Sequence, residues 1–260
     1  MIRPEPAENG EPILRLEGVE KAFEGKKALD GITLDIPRRQ ITAIIGLSGS
    51  GKSVMIKHMI GLLRPDRGIV MVDGVDINGL SKKKLYEIRK QFGMLFQSGA
   101  LFDSLNVFDN VAFPLREKTK MGEEKIREKV LGILRSVGLE DASEKYPDEV
   151  SGGMLRRVAL ARAIIMDPEI LLFDEPTTGL DPIIRNSILS LICRTYNEHR
   201  FTMVMVSHDI PDIFQWCHHV VVAHKGKIIE VGSPEEVMNS TNSLVRQLVD
   251  GAVSGPIQLE

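Results

Sequence analysis

Ile41-Thr42-Ala43-Ile44-Ile45-Gly46-Leu47-Ser48-Gly49-Ser50-Gly51-Lys52-Ser53 is the stretch whose reading decides the fold. Residues 41–45 are apolar or β-branched and read as a short buried strand. Residues 46–53 fit G-x-x-x-x-G-K-S, and residues 52–63 read as a helix stopped by Arg64-Pro65-Asp66-Arg67-Gly68. A glycine-rich turn between a strand and a helix presents successive backbone N–H groups at the positive end of a helix dipole, which suits a phosphate. Gly46, Ser48, Gly49, Ser50 and Gly51 would form that cradle. Lys52 would reach the β- and γ-phosphates of a nucleotide, and Ser53 would give its hydroxyl to Mg²⁺. The alternative is a plain tight turn before a helix; the full pattern in its strand–helix setting favours nucleotide binding.

A second chemical element lies far downstream, at Ile170-Leu171-Leu172-Phe173-Asp174-Glu175-Pro176. Four apolar residues suit a buried strand that carries Asp174 to the carboxyl edge of a sheet, where ligands bind in such folds. Asp174 would help to hold Mg²⁺, directly or through water. Glu175 would orient or deprotonate the attacking water. Alone, Asp-Glu-Pro reads equally well as a polar strand end before a proline-started helix. With residues 46–53 present, the catalytic reading is favoured.

Around these elements the chain alternates strands and helices. Residues 1–12 are polar, rich in Pro and Glu, and read as a disordered leader. Ile13, Leu14 and Leu16, then Ile32, Leu34 and Ile36, alternate with polar neighbours as strands do. Residues 107–116 and 123–137 have helical spacing with Lys and Glu on the outer faces, which suggests an inserted helical subdomain at about 98–154. A helix, a strand, a helix and a strand at 201–206 follow, so the fold class is α/β with a mainly parallel sheet. The expected organisation is one domain at 13–240, its core about 13–97 and 155–240, with a C-terminal helix and tail at 241–260; from Pro234 onward the chain reads as a terminal helix, and Gly251 to Glu260 as the tail. Lys82-Lys83-Lys84 reads as a solvated helix start.

Bulk properties exclude several classes. The 260 residues carry a net charge of −3, which gives no case for nonspecific nucleic-acid binding. Cys193 and Cys217 lie far apart without a C-x-x-C, so neither a disulfide nor a zinc site is expected, and a reducing compartment is. The first residues contain no apolar run of the signal-peptide kind, and no stretch approaches the ~20 apolar residues of a membrane span. Any membrane role would run through partners.

The order of motifs resembles that of the ABC (ATP-binding cassette) ATPases, across about residues 13–249. The resemblance implies a P-loop NTPase (RecA-like) core with an antiparallel β subdomain and an inserted helical subdomain, using ATP and Mg²⁺. It implies that Ser151-Gly152-Gly153, at the start of a helix, completes the ATP site of the opposite subunit in a head-to-tail homodimer. The family's usual form is Leu-Ser-Gly-Gly-Gln; here Val150 and Met154 differ at the two ends. By the same resemblance Gln97 is the nucleotide-sensing glutamine that contacts Mg²⁺ and water. Asp181, in Thr178-Gly179-Leu180-Asp181, belongs to the loop across the dimer interface, and His208 is the histidine that meets the γ-phosphate. Phe23 sits where cassettes stack an aromatic on adenine, with core packing as its rival.

Residues 97–117 together with Ser-Gly-Gly-Met-Leu-Arg-Arg, and the tail from Leu248, look like the ATPases of Mla/Mce-type lipid transporters. That implies phospholipid movement between the inner and outer membranes of a Gram-negative cell, and a place on the cytoplasmic face of the inner membrane. It also implies a multi-span permease, an Mce-domain lipid-binding protein, and a C-terminal extension able to cross to the partner subunit. Leu101, Phe102, Leu105 and Phe108 suit a groove for a permease helix; packing inside the helical subdomain is the equal alternative. A transporter for another cargo, such as a lipoprotein or amino acid, is the principal rival. A nucleic-acid-acting cassette protein and a non-hydrolysing regulatory subunit are the others.

Overall fold

The computed structural model describes Pro4 and residues 11–96 and 99–258. Most of the expected leader and Gln97 therefore lie outside the described residues.

The alternating apolar residues at the start form an antiparallel sheet. Strand β1 (Pro12–Phe23) pairs with β2 (Lys26–Pro37) and with β4 (Arg67–Val72), and β5 (Val75–Asp76) pairs with β4. The pairs Leu14↔Ile36 and Leu16↔Leu34 put the apolar set on one face, since alternate residues of a strand share a side.

A second sheet of six strands has the order β10-β9-β3-β8-β7-β6. Its members are β3 (Ile41–Ile45), β6 (Phe92–Leu95), β7 (Ile170–Asp174), β8 (Thr202–Ser207), β9 (His219–His224) and β10 (Lys227–Gly232). All pairs are parallel except the β9–β10 hairpin. Its central strands are buried on both faces, hence their continuous apolar runs. Ile44, Leu172, Val204 and Val206 face the core under the antiparallel sheet, whereas Ala43, Ile45, Phe173 and Met205 face the core on the other side. Strand β8 lies between β3 and β7. The chain leaving each of these three strands therefore emerges at one edge of the sheet, with Ile45 opposite Ser207 and Asp174 opposite Val206.

Helix α1 (Lys52–Met59) ends earlier than the expected 52–63. Gly61 takes φ +68° and closes the helix before Arg64-Pro65 is reached. Helix α2 (Lys82–Arg89) begins with the lysine cluster, capped by Ser81. Between β6 and α5 (Gly152–Ile164) come α3 (Val107–Lys118), α4 (Glu123–Ser136) and two 3₁₀ turns, with no strand among the described residues. Helix α6 (Pro182–His199) follows β7.

The single helix expected from Pro234 is two, α7 (Pro234–Met238) and α8 (Ser243–Asp250). Asn242 accepts from Leu244 N and starts the second. The tail beyond Gly251 folds back on its own chain. The Gln247 amide donates to the Ala252 and Ile257 carbonyls and accepts from Ile257 N at 2.7 Å, and Ile257 is buried. Among the described residues, no helix is long and apolar enough to cross a membrane.

Candidate active site

Two glycines fix the loop after β3 against its neighbours. Gly46 has φ +148°, and a Cβ there would stand 2.1 Å from the Ala223 carbonyl oxygen; at Gly51, φ +97°, it would stand 2.5 Å from that of Ala28. No side chain fits either position. The loop leads into the N-terminus of α1, where unpaired N–H groups gather. Lys52 turns back into the loop and donates to the Gly46 and Leu47 carbonyls at 2.8 and 2.9 Å. Burial pushes its ammonium below the ordinary lysine range, partly offset by the Glu175 and Asp174 carboxylates. Ser50 Oγ is buried with no hydrogen-bond partner among the described residues. A donor left unsatisfied in an amide-lined cradle is what a phosphate oxygen would meet.

The other two strand ends supply the remaining groups. Ser53 donates its hydroxyl to Asp174 Oδ1 at 2.8 Å. A hydroxyl and a carboxylate make a hard-oxygen pair that fits Mg²⁺, an ion usually held by one or two protein oxygens, water and substrate phosphates. Glu175 adopts φ +52°, an uncommon conformation for a non-glycine residue, of the kind that clusters at active sites. Its N–H donates to the Val206 carbonyl, Thr178 Oγ1 donates to its Oε2 at 2.9 Å, and His208 Nδ1 lies 3.5 Å from the same oxygen. Gly46–Ser53, Asp174, Glu175 and His208 thus form one cluster at the sheet edge.

The other expected site residues lie apart from it. Ser151 caps α5, accepting from Met154 N, and no hydrogen bond links Ser151, Gly152 or Gly153 to residues 46–53. Gly153 faces α6 so closely that a Cβ would meet Ile184 Cγ2 at 2.9 Å. Asp181 caps α6, its Oδ1 accepting from Ile183 N and Ile184 N. Phe23 is 45 % exposed beneath the Lys21 ammonium, which removes core packing as its role.

Two polar residues that sequence reasoning passed over organise the segment after residue 98. Asn110 is fully buried, accepts from Phe102 N, and donates to the carbonyls of Phe102, Leu105 and Asn106. A polar residue on the buried stripe of α3, beside Val107 and Val111, was the available signal. Arg162 on α5 donates to the Gly99 and Ala100 carbonyls; nothing in its sequence neighbourhood marks it. Of the four apolar residues read as a groove, Leu101 and Phe108 pack on the core. Phe102 is exposed and meets Phe113 with ring centroids 4.7 Å apart.

Comparison with known proteins agrees with this arrangement. The family model for ABC transporters matches residues 29–178. The "Intermembrane phospholipid transport system ATP-binding protein MlaF" of Haemophilus influenzae is 45% identical over 231 residues, 89% of this chain and 88% of that protein. The "Probable ribonucleotide transport ATP-binding protein mkl" of Mycobacterium leprae is 42% identical over 245 residues, 94% of this chain and 70% of that protein. Among solved structures, cbiO1 from Clostridium perfringens, part of the ABC transporter complex cbiONQ, superposes with a TM-score of 0.82 at 32% identity, covering 92% of this chain and 95% of that one. The ATP-binding cassette MJ0796, a dimer bound to ADP and Pi in a post-hydrolysis state, gives 0.77 at 31% identity over 85% of this chain and 98% of that one. The chain belongs to the ABC transporter family, as an ATP-binding subunit with ATPase activity.

Proposed function

We propose that this chain drives a transporter that moves phospholipid between the inner and outer membranes. The observation that carries the cargo is the 45% identity to the Haemophilus influenzae phospholipid-transport relative over 88% of that relative's length. The relative named for ribonucleotide transport is covered over a smaller share, 70%.

The site residues take these roles. Gly46–Gly51 cradle the phosphates with backbone N–H groups, and Lys52 leaves its two carbonyl partners to meet the β- and γ-phosphates. Ser53 and Asp174 would hold Mg²⁺, with Gln97 as a further ligand; the ion would neutralise charge developing on the transferred phosphoryl group. Glu175 orients the attacking water and accepts its proton, and His208 contacts the γ-phosphate. Phe23 is exposed for adenine to stack on. Ser151, Gly152 and Gly153 lie apart from this cluster, which suits a role in the partner's site. Two copies therefore close head-to-tail around two ATP molecules, with Asp181 at their interface, on a permease at the cytoplasmic face of the inner membrane. An Mce-domain protein belongs to the same complex.

The test has two arms. Glu175→Gln should bind ATP without turnover and run as a dimer in size-exclusion chromatography with ATP, whereas Lys52→Ala should stay monomeric. A Glu175→Gln chain that remains monomeric at saturating ATP with its partners present would overturn the dimer mechanism. For the cargo, affinity purification from native membranes followed by mass spectrometry should recover a multi-span permease, an Mce-domain protein and phospholipid. Recovery of a permease for another solute would leave the ATPase standing and remove the lipid assignment.

A further inference from the structure

Half of the His208 side-chain surface is exposed, and its contact with Glu175 is long, at 3.5 Å. Packing alone does not hold that ring in place. The next residue is anchored on both sides. Asp209 Oδ2 accepts from Thr177 Oγ1 at 2.9 Å, its Oδ1 lies 3.3 Å from Arg185 Nη1, and its N–H donates to Ser207 Oγ. Arg185 reaches Asp212 Oδ2 with its other arm at 2.6 Å. Thr177 is buried, and the Asp209 and Arg185 side chains are only 17% and 18% exposed.

Three segments meet in this bracket. Thr177 lies two residues beyond Glu175, on the turn that carries the φ +52° strain, and its neighbour Thr178 already holds the Glu175 carboxylate. Asp209 and Asp212 belong to the turn that follows β8. Arg185 belongs to α6, whose first turn is capped by Asp181. An ion pair sunk this far from water returns little net stability, because desolvation offsets the attraction. Its return here is geometric.

We propose that Asp209, clamped by Thr177 and Arg185, is a positioning residue for hydrolysis that fixes His208 relative to Glu175. The inference rests on the reading of Glu175 and His208 as hydrolytic groups. Asp209 touches neither substrate nor metal in this scheme; it acts by setting where the preceding residue stands. Small displacements of reacting groups are costly in rate, on the order of 10²-fold for 1 Å.

The experiment measures ATP turnover against ATP concentration, nucleotide affinity and melting temperature in the complex recovered from membranes. Thr177→Val, Thr177→Ser, Asp209→Asn and His208→Ala are compared. Thr177→Val removes the hydroxyl at nearly constant volume, so it reports even where Asp209→Asn fails to fold. Thr177→Val and Asp209→Asn should lower kcat by roughly tenfold or more with KM within about twofold of wild type. Thr177→Ser should recover the loss, and Asp209→Asn should add little to His208→Ala. A low kcat in His208→Ala beside wild-type kcat in Thr177→Val would overturn the bracket and leave the hydrolytic reading intact. Full turnover in His208→Ala would overturn that reading, and the bracket's role with it.

Discussion

Ser53 and Asp174 are 121 positions apart in sequence, and one hydrogen bond of 2.8 Å joins them. It ties the first turn of the phosphate-loop helix to the last residue of a central strand. Both oxygens are hard donors, and they meet where a metal-bound triphosphate would approach. If the two hold Mg²⁺ as proposed, Ser53→Ala and Asp174→Asn should each lower turnover by roughly 10²-fold or more, since the ion would supply several kcal/mol of charge stabilisation in the transition state. The Mg²⁺ concentration for half-maximal rate should rise in both. A magnesium titration of ATPase rate checks this, and an unchanged half-saturation in Asp174→Asn would take that carboxylate out of the metal site.

Gly46 offers a cleaner structural test. An added Cβ would fall 2.1 Å from the Ala223 carbonyl oxygen, and the backbone there, at φ +148°, suits glycine alone. The obstacle is backbone, so it cannot rotate aside. Gly46→Ala should cost about 3 kcal/mol, combining overpacking and strain. Gly49 has φ +75° but nothing within 4 Å of its Cβ position, so Gly49→Ala should cost only about 1 kcal/mol. Denaturant melts of the two variants give the comparison, and equal losses would contradict the packing argument.

The phosphate loop and the acidic strand were legible because each is local: a spacing and an apolar run. Asp209, Thr177 and Arg185 were not, because their meeting depends on β8 lying beside β7, and strand order is not written in any single segment. Asn110 was half legible, as a polar residue on an apolar stripe. The end of α1 was misread because Arg64-Pro65 was the louder stop signal, while Gly61 reaches positive φ first. The break between α7 and α8 was missed for a similar reason: Asn242 caps a helix that begins inside an apparently continuous one.

Asn110 yields a prediction about coupling. One buried amide, which accepts from Phe102 N and shares its two N–H groups among the Phe102, Leu105 and Asn106 carbonyls, fixes that backbone. Asn110→Ala would take the side-chain partner from the Phe102 N–H and the Leu105 carbonyl, while the Phe102 and Asn106 carbonyls keep Leu105 N and Asn110 N; the cost is about 1–3 kcal/mol for each group that water cannot reach. Amide hydrogen exchange should speed up across residues 99–106, while nucleotide affinity stays within about twofold of wild type and recovery of the permease falls. Unchanged exchange in that segment would show that Arg162, through Gly99 and Ala100, suffices to hold it.

His58 lies within α1, wholly buried, with Nδ1 2.8 Å from the Val54 carbonyl oxygen. The acceptor requires Nδ1 to carry a proton, which a neutral ring provides. Burial pushes the imidazole below its ordinary value; Lys21 acts in the same direction, while the Val54 and Arg64 carbonyls and Asp66 oppose it. The folded chain therefore resists a proton that the unfolded chain accepts near pH 6.5. Where the unfolded state binds the extra proton, stability rises with pH. This contribution is complete above about pH 6.5 and is lost as the pH falls from there towards the depressed folded value, at no more than about 1.4 kcal/mol per pH unit for one group. His219 and His224 are depressed by burial as well, so the wild-type curve alone does not isolate His58. His58→Gln keeps an amide donor in the helix and cannot titrate. Melting temperatures from pH 7.5 to 5.5 should fall more steeply in the wild-type chain than in His58→Gln, the other groups cancelling between them. Parallel curves would mean that His58 takes up its proton without opening the core beneath the phosphate loop.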